Sequence, residues 1–152
     1  MQKITIDALD RHLERWPIAR ATEQPTIDEI AQAEAQLGVS FHPDYAEFLR
    51  RYGGAVVGGM EIYGLRPVEV MGEPWSVVES TLHARAEGWP GSEDWYVISN
   101  DGFGNPIGVA RNGWVRLYDH DRGQHAVLAK SFEEFLWSWG KLPRRSSTDA
   151  TP

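Results

Sequence analysis

One stretch constrains the fold more than any other: residues 95–121, WYVISNDGFGNPIGVARNGWVRLYDHD. It reads as three consecutive β-strands joined by two turns. Trp95 to Ser99 is an unbroken aromatic and β-branched run, which suits a strand covered on both faces near the middle of a sheet. Asn100 to Pro106 has the Asn, Asp, Gly and Pro content of a turn. Asn112-Gly113 between two apolar runs predicts a two-residue type I′ hairpin, because both central residues of that turn need φ > 0. Such a turn pairs Arg111 with Trp114, Ala110 with Val115 and Ile107 with Tyr118. One face then carries Gly108, Ala110, Val115 and Leu117, small enough for a helix to pack. The other carries Ile107, Val109, Arg111, Trp114, Arg116 and Tyr118 and is of mixed character.

Helical periodicity flanks this block. Ile6, Leu9, Leu13 and Trp16 form one apolar stripe that Pro17 stops. Thr26 and Glu29 have capping-box spacing, followed by a stripe of Ile27, Ile30 and Leu37 with Gly38 as a left-handed C-cap. Pro43-Asp44 opens a third helix, whose Tyr45, Phe48, Leu49 and Tyr52 recur at i, i+3, i+4 and i+7 before Gly53-Gly54. Two short strands are expected at Val56–Val57 and Glu61–Tyr63. Trp75, Val78 and Leu82 restore helical spacing, and Trp89 to Asp94 is loop. His125 to Ala129 makes a fourth long strand. Ser131 and Glu134 suggest a second capping box, leading into a final helix lined by Phe132, Phe135, Leu136 and Trp139. The order predicts an α+β fold: an antiparallel sheet with helices at the N-terminus, mid-chain and C-terminus. At 152 residues this is one domain, residues 1–141, with a polar, patternless tail over 142–152 expected to be disordered.

Composition excludes several functions. The net charge of -7 argues against a nucleic-acid backbone as ligand. With no cysteine there is no disulfide framework and no thiolate metal site. No window is apolar and long enough to span a membrane, and the N-terminal residues lack a signal-peptide pattern. A cytoplasmic protein is expected.

Two stretches invite a chemical reading. Asp119-His120-Asp121 places a histidine between carboxylates, as a general base or metal site would. Strand neighbours point to opposite faces, however, and the chain has no HxH or HxxxH partner, so a strand end with an Asx turn is favoured. Asp101-Gly-Phe-Gly-Asn105 contains a GxG, but a strand rather than a helix follows, so it reads as a turn and not a phosphate loop. No nucleophile, base and orienting acid can be assembled, and no catalytic residue, cofactor or metal is expected.

The seven tryptophans are the compositional surplus. Trp16, Trp75 and Trp139 fit helix stripes and are read as core. Trp89, in a Gly/Pro loop, and Trp114, between Arg111 and Arg116, are harder to bury. Either Trp114 and Tyr118 cover a small second core, or they belong to an interface, where Trp, Tyr and Arg concentrate. The candidate partner contacts are Trp89 and Trp114 as anchors, Tyr118 beside them, and Asp101, Asp119 and Asp121 as a charged rim.

The motif order resembles the SUKH superfamily, which includes fungal cell-wall-synthesis regulators and bacterial toxin-immunity proteins. The matching residues are Ile27, Glu34, Leu37-Gly38, Pro43, Tyr45, Phe48-Leu49 and Gly53-Gly54, then Ile62-Tyr63-Gly64-Leu65 and Asp101-Gly102-Phe103-Gly104. Gly113-Trp114-Val115, Asp119-His120-Asp121 and Ser131-Phe132-Glu133-Glu134-Phe135-Leu136 complete the order, from about Thr26 to Trp139. His42, Tyr52 and Asn105 depart from the usual pattern. The resemblance implies a non-catalytic protein that binds a cognate toxin domain, frequently a nuclease, and neutralises it. An acidic protein suits a basic nuclease partner. An adaptor or regulator on the same scaffold remains open, as does a hydrolase using Asp119, His120 and Asp121.

Overall fold

The computed structural model describes residues 1–71 and 75–143. The elements are α1 (Lys3–Arg15), α2 (Ile27–Leu37), α3 (Pro43–Tyr52), β1 (Ala55–Val57), β2 (Met60–Ile62), α4 (Val77–Ala86), β3 (Trp95–Asn100), β4 (Pro106–Ala110), β5 (Val115–Asp119), β6 (Gln124–Ala129) and α5 (Phe132–Ser138). Short 3-10 turns lie at Pro17–Ala19 and Glu69–Met71. β1 and β2 form a hairpin, and the other strands make an antiparallel sheet in the order β3-β4-β5-β6. The fold is α+β. Residues 144–152, most of the expected tail, lie outside the described residues, whereas Leu142 is buried in the main core.

Local signals hold where backbone chemistry fixes them. Thr26 and Glu29 complete a reciprocal capping box, and Gly38 and Gly53 close α2 and α3 at φ 66° and 73°. Ser131 accepts from the Glu134 N–H, but the Glu134 carboxylate reaches back to the Lys130 N–H, one residue beyond a capping box. β1 and β2 each begin one residue before the expected strand starts.

The inner face of the sheet presents Tyr96, Ile98, Ile107, Val109 and Val115 to the helices, in a core with Leu9, Tyr45, Phe48, Phe132, Phe135 and Leu136. Tyr45 packs edge-on against Phe132 at 5.2 Å between ring centroids, and Phe48 does the same. The outer face holds a smaller cluster of Trp95, Val97 and Tyr118 with Ala84 from α4 and Tyr63.

This corrects the face assignment. The β4–β5 register pairs Ile107 with Leu117, Gly108 with Arg116 and Val109 with Val115. The Ala110 N–H donates to the Trp114 carbonyl and the Gly113 N–H to the Ala110 carbonyl, both at 2.8 Å. The loop therefore has three residues, Arg111 to Gly113, and only Gly113 has positive φ (88°). It is a turn followed by a left-handed glycine, not a type I′ pair. One added loop residue slips the register by one and exchanges the faces. Trp114 shares its face with Gly108 and Ala110, and Gly108 is small because the Trp95 ring lies on it, not because a helix does.

Other expectations fail through tertiary context. Trp16 is 56% exposed, and Trp139 and Ile27 are also exposed, so these stripe ends overrun the buried arc of their helices. Trp75 is only half-buried. α4 buries Val77, Ser80, Thr81 and Ala84 rather than Val78 and Leu82. Thr81 can be buried because its hydroxyl donates to the Val77 carbonyl at 2.6 Å and accepts the Val97 N–H at 2.8 Å. That contact, with Tyr63 N–H donating to the Ile98 carbonyl at 2.7 Å, covers the free edge of β3. β3 is buried because α4 and β2 cover it, not because it is central.

Candidate functional site

At one end of the sheet the β3–β4 and β5–β6 turns lie side by side. The Asp101 carboxylate organises the first. One oxygen accepts the Phe103 N–H at 2.8 Å and the Asn105 N–H at 3.1 Å, and the other accepts the Asn105 side-chain amide at 2.8 Å. Burial alone would raise its pKa, but the Asn105 amide and these backbone N–H groups outweigh it, so the carboxyl titrates below its ordinary value. Asn100 adds a bond from the Gly102 N–H at 2.8 Å and donates to the Tyr63 hydroxyl at 2.6 Å. Gly102 and Gly104 sit at φ 82° and 85°, a conformation that L side chains rarely adopt. Phe103 is held between them with 84% of its surface exposed.

The second turn is built in the same way. Asp119 accepts the Asp121 N–H at 3.0 Å and the Arg122 N–H at 3.2 Å, an Asx turn, and its carboxylate lies 3.7 Å from the Arg122 guanidinium. Asn105 Oδ1 accepts from the His120 N–H at 3.1 Å and contacts His120 Nδ1, so one amide locks the two turns together. Asp121 projects into solvent. Beside the turns a cleft of about 250 Å³ is lined by Tyr63, Trp75, Trp89, Asn100 and Gly104.

The expected contact residues do not form one cluster. Trp89, Asp101, Tyr118, Asp119 and Asp121 are placed around this end. Tyr118 is only 7% exposed, packed 5.5 Å from Trp89 and 5.0 Å from His125, so its ring belongs to the outer core. Trp114 stands at the other end of β5, with the Lys130 ammonium 5.7 Å above its ring. Phe103 is not among the expected contact residues, although the sequence carries a signal for it: a large apolar residue between two glycines in a polar turn.

The Asp119-His120-Asp121 triplet is consumed by turn geometry. Among the described residues no three His, Asp or Glu side chains are grouped to hold a metal ion. No helix among them is long and apolar enough to cross a membrane.

The opposite turn, Arg111 to Gly113, is docked. The Tyr96 hydroxyl accepts the His42 N–H at 3.0 Å and meets His42 Nδ1 at 2.9 Å, while His42 Nε2 meets the Arg111 carbonyl at 3.1 Å. An Nε2–H tautomer satisfies all three: Tyr96 donates to Nδ1 and Nε2–H to the carbonyl. Burial holds the Tyr96 phenol well above its ordinary pKa, partly opposed by the His42 N–H, so it remains a donor.

Helix pair, glycine-ended α3, hairpin, four-stranded sheet and closing helix are the frame in which these turns sit. The family described as SMI1-KNR4 cell-wall, of the SUKH group, matches residues 3–139. This chain belongs to that family. No curated protein matches it. Membership in the SUKH family accounts for the order of elements and agrees with the resemblance carried by the motifs.

Proposed function

We propose that this SUKH protein is an immunity protein that binds a cognate bacterial toxin domain stoichiometrically and neutralises it without chemistry. The observation that carries the reading is Phe103, an exposed aromatic on a turn that Asp101 holds by its backbone and that Asn105 bonds to the neighbouring turn of Asp119 and Asp121. A rigid aromatic anchor gives contact area at little ordering cost, and surrounding acids steer a partner of opposite charge. With the net charge of -7, the partner that fits is a basic domain such as a nuclease. Trp89 and the aromatic cleft beside it extend the anchor surface; Asp121 contributes chiefly to association rate. The cytoplasm is the expected site of action.

The bonds that occupy Asp119 and His120 favour turn-building over hydrolysis. An adaptor role on the same surface is distinguished by its partner. The test is co-expression with a toxin domain encoded beside this gene, followed by calorimetric titration of the pure proteins. Protection from toxicity with a one-to-one complex is expected. Protection without a complex, or with turnover of a small molecule, would contradict the proposal.

A further inference from the structure

The cleft of about 250 Å³ beside the exposed turn is smaller than the roughly 300–1,000 Å³ that holds a whole small-molecule ligand, and suits a short piece of another chain. Its aromatic lining is Tyr63, Trp75 and Trp89. None of the three spends its own polar proton on a described residue. The Tyr63 hydroxyl accepts from the Asn100 amide at 2.6 Å but donates to no described group. Asn100 cannot be turned over to take that proton, because its oxygen already accepts the Gly102 N–H at 2.8 Å. Burial holds the Tyr63 phenol above its ordinary pKa, partly opposed by the Asn100 amide, so it remains a donor. The Trp75 and Trp89 indole N–H groups likewise have no acceptor among the described residues. The Ser99 hydroxyl is spent on the Glu61 carbonyl at 2.5 Å, while Ser80 and His83 can serve as donor or acceptor. Among the described residues, no lysine, arginine, aspartate or glutamate lines the cleft.

We propose that this cleft takes a proline-containing segment of a protein partner, held in the polyproline II conformation. The inference deepens the toxin-binding reading and rests on it only in taking the occupant from a protein partner. Donors on aromatic walls call for an apolar group that accepts hydrogen bonds and brings no N–H of its own. With no counter-charge in the lining, neither a carboxylate nor a guanidinium recovers the solvation it would lose on entry. A secondary amide brings a donor with every acceptor. Proline supplies the carbonyl without the N–H. Its ring packs flat on tryptophan and tyrosine faces, and polyproline II makes no internal hydrogen bonds, so its carbonyls stay free for Tyr63, Trp75 and Trp89. Such segments dock in aromatic-lined grooves because they are already extended and lose little conformational freedom.

Titration of the full chain, labelled with nitrogen-15, with hexaproline blocked as its acetyl dimethylamide tests it. The indole N–H resonances of Trp75 and Trp89 are expected to move downfield and saturate with a Kd of about 1 mM or tighter, while those of Trp16, Trp114 and Trp139 stay in place. Trp75→Phe and Trp89→Phe each keep a ring and remove one donor, and should weaken binding about fivefold with an unchanged circular dichroism spectrum. Where a variant fails to fold, the wild-type indole shifts decide. No shift up to about 10 mM peptide overturns the proposal. So do equal shifts with a blocked Gly-Ser peptide of the same length, or two folded Phe variants that bind as tightly as wild type. A toxin domain that binds while hexaproline does not would remove the proline assignment and leave the immunity reading; hexaproline binding with no toxin bound would do the reverse.

Discussion

The β3–β4 and β4–β5 turns sit at opposite ends of the same sheet and look alike as text, each rich in Asn and Gly. Their environments differ completely. The β4–β5 turn is fastened to the start of α3 by His42, which bonds Tyr96 and the Arg111 carbonyl. The β3–β4 turn is fastened to its neighbour turn through Asn105 and to the Tyr63 hydroxyl through Asn100, and it holds Phe103 in solvent. Both are held by hydrogen bonds. Those of one join helix to sheet, those of the other leave a side chain in solvent, and turn composition does not distinguish the two.

Substitutions can break this contrast. Gly113→Val should have the largest effect on stability, about 2–3 kcal/mol, because φ is 88° and a new Cβ would lie 3.1 Å from the His42 ring. Thermal or urea unfolding measures it; a loss below about 0.5 kcal/mol would show that the docked turn can move freely. His42→Ala should cost about 1–2 kcal/mol, since it leaves the Tyr96 hydroxyl and the Arg111 carbonyl without their partner. Faster amide exchange at Gly113 should accompany it.

Asp101→Asn should cost less, about 1 kcal/mol at neutral pH, by weakening charge-assisted bonds in a partly solvated turn. The sign of its pH dependence follows from the lowered pKa. A depressed carboxyl contributes fully above its unfolded value of about 3.9, and the contribution is lost as pH falls through the folded value. The stability gap between wild type and Asp101→Asn should therefore be flat from neutral pH down to about 5 and shrink below about 4. A gap that grows on acidification would contradict the assignment.

What could be read from the sequence was set by local chemistry. The Thr26 capping box, the Gly38 and Gly53 caps and the Tyr45–Tyr52 stripe are each decided within a few residues, and all are present. The hairpin register was not, because Asn-Gly serves both a two-residue loop and the end of a three-residue one, and His42, distant in sequence, packs against Gly113. Trp16 and Trp139 continue apolar stripes past the point where the core ends. At the candidate site, the three Asp residues were legible as turn formers, while their convergence depends on a bond between Asn105 and His120 across fifteen residues, which no local pattern encodes.

We propose that the exposed turn, not the Trp114 end of the sheet, carries the partner contact. Calorimetric titration of Phe103→Ala and Trp114→Ala against the cognate toxin domain, alongside wild type, tests it most directly. Phe103→Ala should keep the wild-type stability to within about 0.5 kcal/mol, because its ring packs on nothing internal, yet lose about 2 kcal/mol or more of binding, roughly thirtyfold in Kd. Trp114→Ala should bind within a few-fold of wild type. A folded Phe103→Ala protein that binds at full strength, with Trp114→Ala losing affinity instead, would move the interface to the other end of the sheet.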